Sequence, residues 1–177
     1  MNSAPVVTTL LGTKPSFLLP SPAMMAAASG AGVAAAAAGP ATGAPSAARP
    51  LKTGSFTINR LTIAMDCGIV VNPKNVDAQI RASALWGASQ IMSERLTLKD
   101  GGFEQANFHT YVPIRLAQIP KIDVHLVPSE HHPSGVGEPA STTVAPAVAN
   151  AIFDATGARL REVPFTPERV KAALLAR

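Results

Sequence analysis

Apolar positions fall into a readable pattern only from Leu51 onward. Phe56, Ile58, Leu61, Ile63 and Met65 alternate with one slip and predict a strand ending at Asp66. Asn72-Pro73 predicts a helix start, with Asn as cap and Pro at the first helical position. Val76, Ile80, Ala84, Leu85, Ala88, Ile91 and Met92 then recur at helical spacing, and Gly87 among them predicts close packing against a neighbour. Glu94 to Leu98 reads as a strand, Lys99-Asp100-Gly101-Gly102 as a turn, and Phe103 to Phe108 as the return strand of a hairpin. Ile122, Val124 and Leu126 mark a further strand, and Pro128 to Gly137 a loop. A helix is expected between Pro139 and Thr156, with Ala147, Val148, Ala151, Ile152 and Ala155 on its buried face and Gly157 as its C-terminal cap. Leu160 to Phe165 predicts a short strand, and Thr166-Pro167 the cap and first position of a last helix. Strands and helices mix without a regular βα period, so the fold class is α+β.

The first fifty residues break this pattern. They hold 15 alanines, 7 of the 16 prolines, one aromatic (Phe17) and no acid. Alanine buries little area, and Pro and Gly interrupt any long helix, so residues 1–50 are expected to be disordered or loosely helical. The domain proper is residues 51–177. Met24 to Ala38 has the length of a signal-peptide apolar region, but the only positive charge before it is Lys14, so a linker or a misplaced reading-frame start fits better. A cytoplasmic location follows, with the periplasm as the alternative.

Charge adds exclusions. The net charge of +4 rests on 15 basic against 11 acidic residues without a basic cluster, which argues against nucleic acid as a partner. Cys67 is alone, so there is no disulfide framework and no four-cysteine zinc site. No run is long and apolar enough for a membrane span. His131 and His132 are adjacent and diverge, His109 and His125 stand singly, and no metal-ligating set is expected from any of them. Hydrolase and P-loop motifs are absent.

One segment stands apart: Ser134-Gly135-Val136-Gly137-Glu138-Pro139. Two glycines allow close approach of backbone to a ligand, and a carboxylate follows at a helix start. Glu138 there is either an acid stabilised by the helix dipole or a general base presented by a rigid turn.

The surroundings bear on that choice. Asp66-Cys67-Gly68-Ile69-Val70-Val71-Asn72-Pro73, Gln79, Gly87, Asn107-Phe108-His109-Thr110-Tyr111, Arg115, Pro120, Gly135-Val136-Gly137-Glu138-Pro139, Ala145 to Ile152, Ala155-Thr156-Gly157, Arg159 and Arg161 occur in that order. This series, over about residues 55–165, resembles the C-terminal part of the molybdopterin-binding large subunit of the xanthine dehydrogenase and aldehyde oxidase family, and most of all the isoquinoline 1-oxidoreductase beta subunit. The resemblance implies a molybdenum-molybdopterin cofactor and oxidation of an aldehyde or N-heteroaromatic carbon with water-derived oxygen. It places Glu138 at the family's general base, and Gln79, Gly135 and Gly137 at the cofactor. It further implies [2Fe–2S] clusters on a small partner subunit. The chain departs from the family at Arg81-Ala82, where Glu-Gly is usual, and at Ser134, where Gly is frequent. Most pterin contacts in the family come from an N-terminal part that residues 1–50 cannot supply. The expectation is therefore a fragment whose remaining large-subunit portion is a separate chain, inactive alone. The alternative is a truncated, non-catalytic remnant that binds no cofactor.

Overall fold

The computed structural model describes residues 53–176, together with the backbone of two short stretches, 7–9 and 33–38. The described residues include six strands: β1 (Val7–Thr9), β2 (Val33–Ala38), β3 (Arg60–Met65), β4 (Leu98–Lys99), β5 (Gly102–Phe103) and β6 (Lys121–Leu126). Among the described residues they are accompanied by the α-helices α1 (Pro73–Met92), α2 (Pro139–Thr156) and α3 (Pro167–Leu175). The mixture is α+β, as the pattern predicts. Among the described residues no helix is long and apolar enough to cross a membrane.

The main sheet has the order β1-β2-β3-β6. β3 and β6 run parallel, with Leu61 opposite Ile122 and Ile63 opposite Val124. β2 lies antiparallel on the other side of β3. Two stretches of the alanine-rich segment thus carry strand backbone, where low complexity predicts none. The reason lies in β3, whose second edge would otherwise leave a row of unpaired backbone groups. The rest of residues 1–52 lies outside the described residues.

β3 begins at Arg60, not Phe56, because the ladder cannot extend lower. Lys121 N–H donates to Asn59 O at 3.0 Å, and the next residue back is Pro120, which has no N–H to give. The hairpin is also shorter than predicted. Asp100 and Gly101, at φ of 50° and 82°, make a tight turn, but only two residues pair on each side. Beyond them the Gln105 side chain accepts the Thr97 N–H at 2.6 Å, and Asn107 Oδ1 accepts the Phe108 N–H at 2.7 Å. These local bonds replace the ladder. Leu160–Phe165 forms no strand. Pro164 lacks a donor, and Phe165 N–H goes instead to Ile91 O at the end of α1 (2.6 Å).

The helices start where the sequence places them, and α2 also stops there. Asn72 Oδ1 accepts from Asn75 N–H at 3.1 Å, Thr166 Oγ1 from Arg169 N–H at 3.4 Å, and Gly157 ends α2 at φ 73°. Leu61, Ile63, Ile80, Ala84, Ala88, Val144 and Val148 form the centre of the core between the sheet and the α1–α2 pair. Gly87 is where the two helices touch: a Cβ there would stand 2.7 Å from Ser141 O and 3.1 Å from Val144 Cβ. Beside it Ser83 Oγ, fully buried, accepts the Ser141 N–H at 2.9 Å. That bond satisfies one of the N-terminal amides of α2 and fixes the start of α2 against the middle of α1.

Candidate functional site

Both long helices begin on the same side of the sheet. The chain leaves β3 at Met65, turns through residues 66–72 and enters α1. It leaves β6 at Leu126, crosses residues 127–138 and enters α2. The carboxyl ends of two adjacent parallel strands and the amino ends of two helices therefore converge, an arrangement that favours a ligand crevice.

The two connecting segments are joined by backbone hydrogen bonds. Val127 N–H donates to Met65 O (2.9 Å), Ile69 N–H to His131 O (3.0 Å) and Ser134 N–H to Cys67 O (2.9 Å). Asp66, almost wholly buried, accepts the Gly68 N–H on Oδ1 at 3.0 Å. An open recess of about 570 Å³ between the segments is lined by Asp66, Val127, Pro128, Ser129, Glu130 and His131, and not by Glu138.

Glu138 is the residue just before α2, with φ −125° and ψ −16°. Its carboxylate makes no capping hydrogen bond to the helix, and the side chain is exposed. Its carbonyl does the local structural work, accepting both Ser141 N–H (2.9 Å) and Ser141 Oγ–H (2.8 Å). Gln79 lies on the exposed side of α1, and its Oε1 would be 3.9 Å from a Cβ at Gly137. The fold thus brings Gln79, from α1, to the glycine that precedes Glu138. Gly135 is set apart, with nothing within 4 Å of a Cβ built on it.

Neither Gly135 nor Gly137 has a positive φ. Nothing among the described residues requires glycine at either position, by conformation or by crowding. A bare backbone that its own chain does not need suits close approach by something outside the chain. No group of three or more His, Cys, Asp or Glu side chains that could hold a metal occurs among the described residues. Cys67 is buried, and burial, followed by the charge of Asp66, pushes its thiol pKa up. It behaves as a small hydrophobe, not as a nucleophile.

Arg81 is taken up by contacts within the fold. Its guanidinium pairs with Asp77 (Nε–Oδ2 2.6 Å) and donates to the Ile122 carbonyl, tying α1 to β6. The Asp66–Gly68 turn is the feature that sequence reading passes over as a site element. A glycine directly after a strand is its one local signal, since its partners lie more than 60 residues on.

Residues 50–120 match the family model of a molybdopterin cofactor-binding domain. Over 122 residues the chain is 43% identical to the membrane-bound aldehyde dehydrogenase [pyrroloquinoline-quinone] of Gluconacetobacter polyoxogenes, covering 69% of this chain and 16% of that one. It is 34% identical over 113 residues to the isoquinoline 1-oxidoreductase subunit beta of Brevundimonas diminuta, covering 64% and 14%. Among solved structures it is similar to quinoline 2-oxidoreductase from Pseudomonas putida 86, with a TM-score of 0.62 and 26% identity over 71% of this chain and 17% of that chain. The chain thus spans less than a fifth of the length of each of these proteins.

Proposed function

Because the chain belongs to the molybdopterin-binding family of the xanthine dehydrogenases and aldehyde oxidases, we propose that it is the part of a molybdenum hydroxylase large subunit that carries the general base. The unit concerned runs from about residue 51 to the C-terminus, where the family match begins and the patterned sequence continues.

The observation that carries this reading is the placement of Glu138. An acid kept at a helix start for the helix alone would cap it, and this one does not. Its carboxylate stays on an open face beside two glycines that the fold does not demand. When bound, the molybdopterin centre supplies the redox chemistry, taking up the electron pair removed from the substrate carbon. Glu138 accepts the proton released as water-derived oxygen attacks that carbon. Gln79 and the N–H groups of Gly135 and Gly137 hold and orient the pterin. The substrate class is a small aldehyde or N-heteroaromatic compound. A small partner subunit carrying [2Fe–2S] clusters would serve as the electron acceptor.

The rest of the large subunit completes the site as a separate chain. Large apolar side chains without cover support this. Leu96, Leu98, Phe103, Phe108 and Leu116 are each more than half exposed along one segment, and such a stretch marks an interface. The isolated chain is inactive on this reading. The alternative, a remnant that binds no cofactor, has Arg81-Ala82 in its favour, since Arg81 serves only the fold.

Co-expression with the polypeptide that supplies the remainder, followed by metal analysis, separates the two. The proposal expects molybdenum near one per complex and none in the chain purified alone. A stable complex without molybdenum would establish the remnant.

A further inference from the structure

We propose that the turn Asp66–Ile69 is a clamp that sets the position of the Glu138 loop, with Asp66 and Gly68 as positioning residues for the base; the assignment of the base itself rests on the function proposed above. Four observations meet at this turn. Gly68 has φ +76°, which a side chain disfavours. A Cβ at Gly68 would collide with the backbone of the opposite loop, 2.6 Å from His131 O and 2.7 Å from His132 C. Asp66 Oδ1 accepts the Gly68 N–H at 3.0 Å from a buried position, holding the turn in that conformation. The residues on either side of Gly68 then bond to the loop, Ile69 N–H to His131 O and Cys67 O from Ser134 N–H.

The second of these bonds ends one residue before Gly135-Val136-Gly137-Glu138. Within that stretch the partly buried Val136 packs against the core, while a Cβ on Gly135 would meet nothing within 4 Å. Downstream, the Glu138 carbonyl is pinned by Ser141, and Ser141 by Ser83 of α1. The loop carrying the carboxylate is therefore held by hydrogen bonds at both ends, at the clamp that follows β3 and at Ser83 of α1, with the Val136 side chain packed on the core between them. A base must sit within hydrogen-bond reach of the proton it takes, so displacement of one anchor reaches the chemistry without touching a reacting atom. Glycine at position 68 thus serves twice, allowing the positive φ of the turn and the direct backbone contact between the two loops.

Amide hydrogen exchange of the full chain tests the clamp. Gly68→Ala and Asp66→Ala should each speed exchange at Ile69 and Ser134 by about tenfold or more, as a local opening does, while the β3–β6 ladder keeps its protection. Asp66→Asn keeps an acceptor oxygen for the Gly68 N–H and should restore slow exchange. Should Gly68→Ala fail to fold, Ser134→Pro deletes a single N–H at an exposed position and should release Ile69 in the same way. In the co-expressed complex, Gly68→Ala should lower turnover per bound molybdenum by about tenfold or more, as misplacement of a reacting group does, with metal content retained. Unchanged exchange at both amides would overturn the clamp, and so would released amides with normal turnover per metal. Normal turnover in Glu138→Gln would instead overturn the base assignment, and the exchange data alone would then decide the clamp.

Discussion

Two residues at helix starts carry similar sequence signals and do different work. Thr166 uses its side chain, accepting the Arg169 N–H, whereas Glu138 uses only its carbonyl. Thr166→Ala should therefore lower stability by about 1 kcal/mol, the usual loss for a hydroxyl cap. Glu138→Gln should cost less than about 1 kcal/mol, the upper range for a charge at an exposed helix end. Urea midpoints of the two variants check this, and an equal loss in both would make Glu138 a structural acid. Arg81 shows the opposite economy. It ties α1 to β6 through Asp77 and the Ile122 carbonyl, in an ion pair partly exposed to solvent. The Asp77 carboxylate, as hydrogen-bond partner, raises its already high pKa.

The α1–α2 contact is the element whose failure would matter most, because it places Gln79 beside Gly137. Gly87→Ala puts a methyl 2.7 Å from Ser141 O, and neither backbone can yield without moving a helix start. A loss of about 1–3 kcal/mol is expected, as for overpacking elsewhere, read as a lower melting temperature. Just past the end of α1, Tyr111 O–H donates to Glu94 Oε2 at 2.5 Å, and that bond, with burial and the Glu94 charge, pushes the phenol pKa up. The folded state thus holds this proton more tightly than the unfolded one. Its stabilisation is complete below the ordinary phenol pKa of about 10 and is lost as pH rises through the raised folded value. Stability should accordingly fall more steeply above pH 10 in the wild type than in Tyr111→Phe. Helices were legible here because caps, prolines and period are local: α2 runs from Pro139 to Thr156, and Gly157 closes it, as the pattern predicts. The strands at 94–98, 103–108 and 160–165 were over-read because a strand needs a partner. Gln105, Asn107 and the missing N–H of Pro164 decide against one in ways that alternation does not show.

For the whole molecule, the motif order made the cofactor-binding domain readable, and the family match over residues 50–120 agrees with it. The parallel pairing of β3 with β6, the strand backbone at Val33–Ala38 and the clamp between Gly68 and His131 were not readable, because each joins residues far apart in sequence. The exposed apolar side chains from Leu96 to Leu116 are the surface that the proposed remainder of the subunit would cover. They should become protected from exchange and labelling when the rest of the subunit is supplied. In that complex, one measurement bears most directly on the role of Glu138: turnover per bound molybdenum in Glu138→Gln against wild type. Gln keeps the size of the side chain and cannot take the proton, so turnover should fall by about 10²–10⁴ with metal content unchanged. Near-wild-type turnover at full metal content would contradict the account.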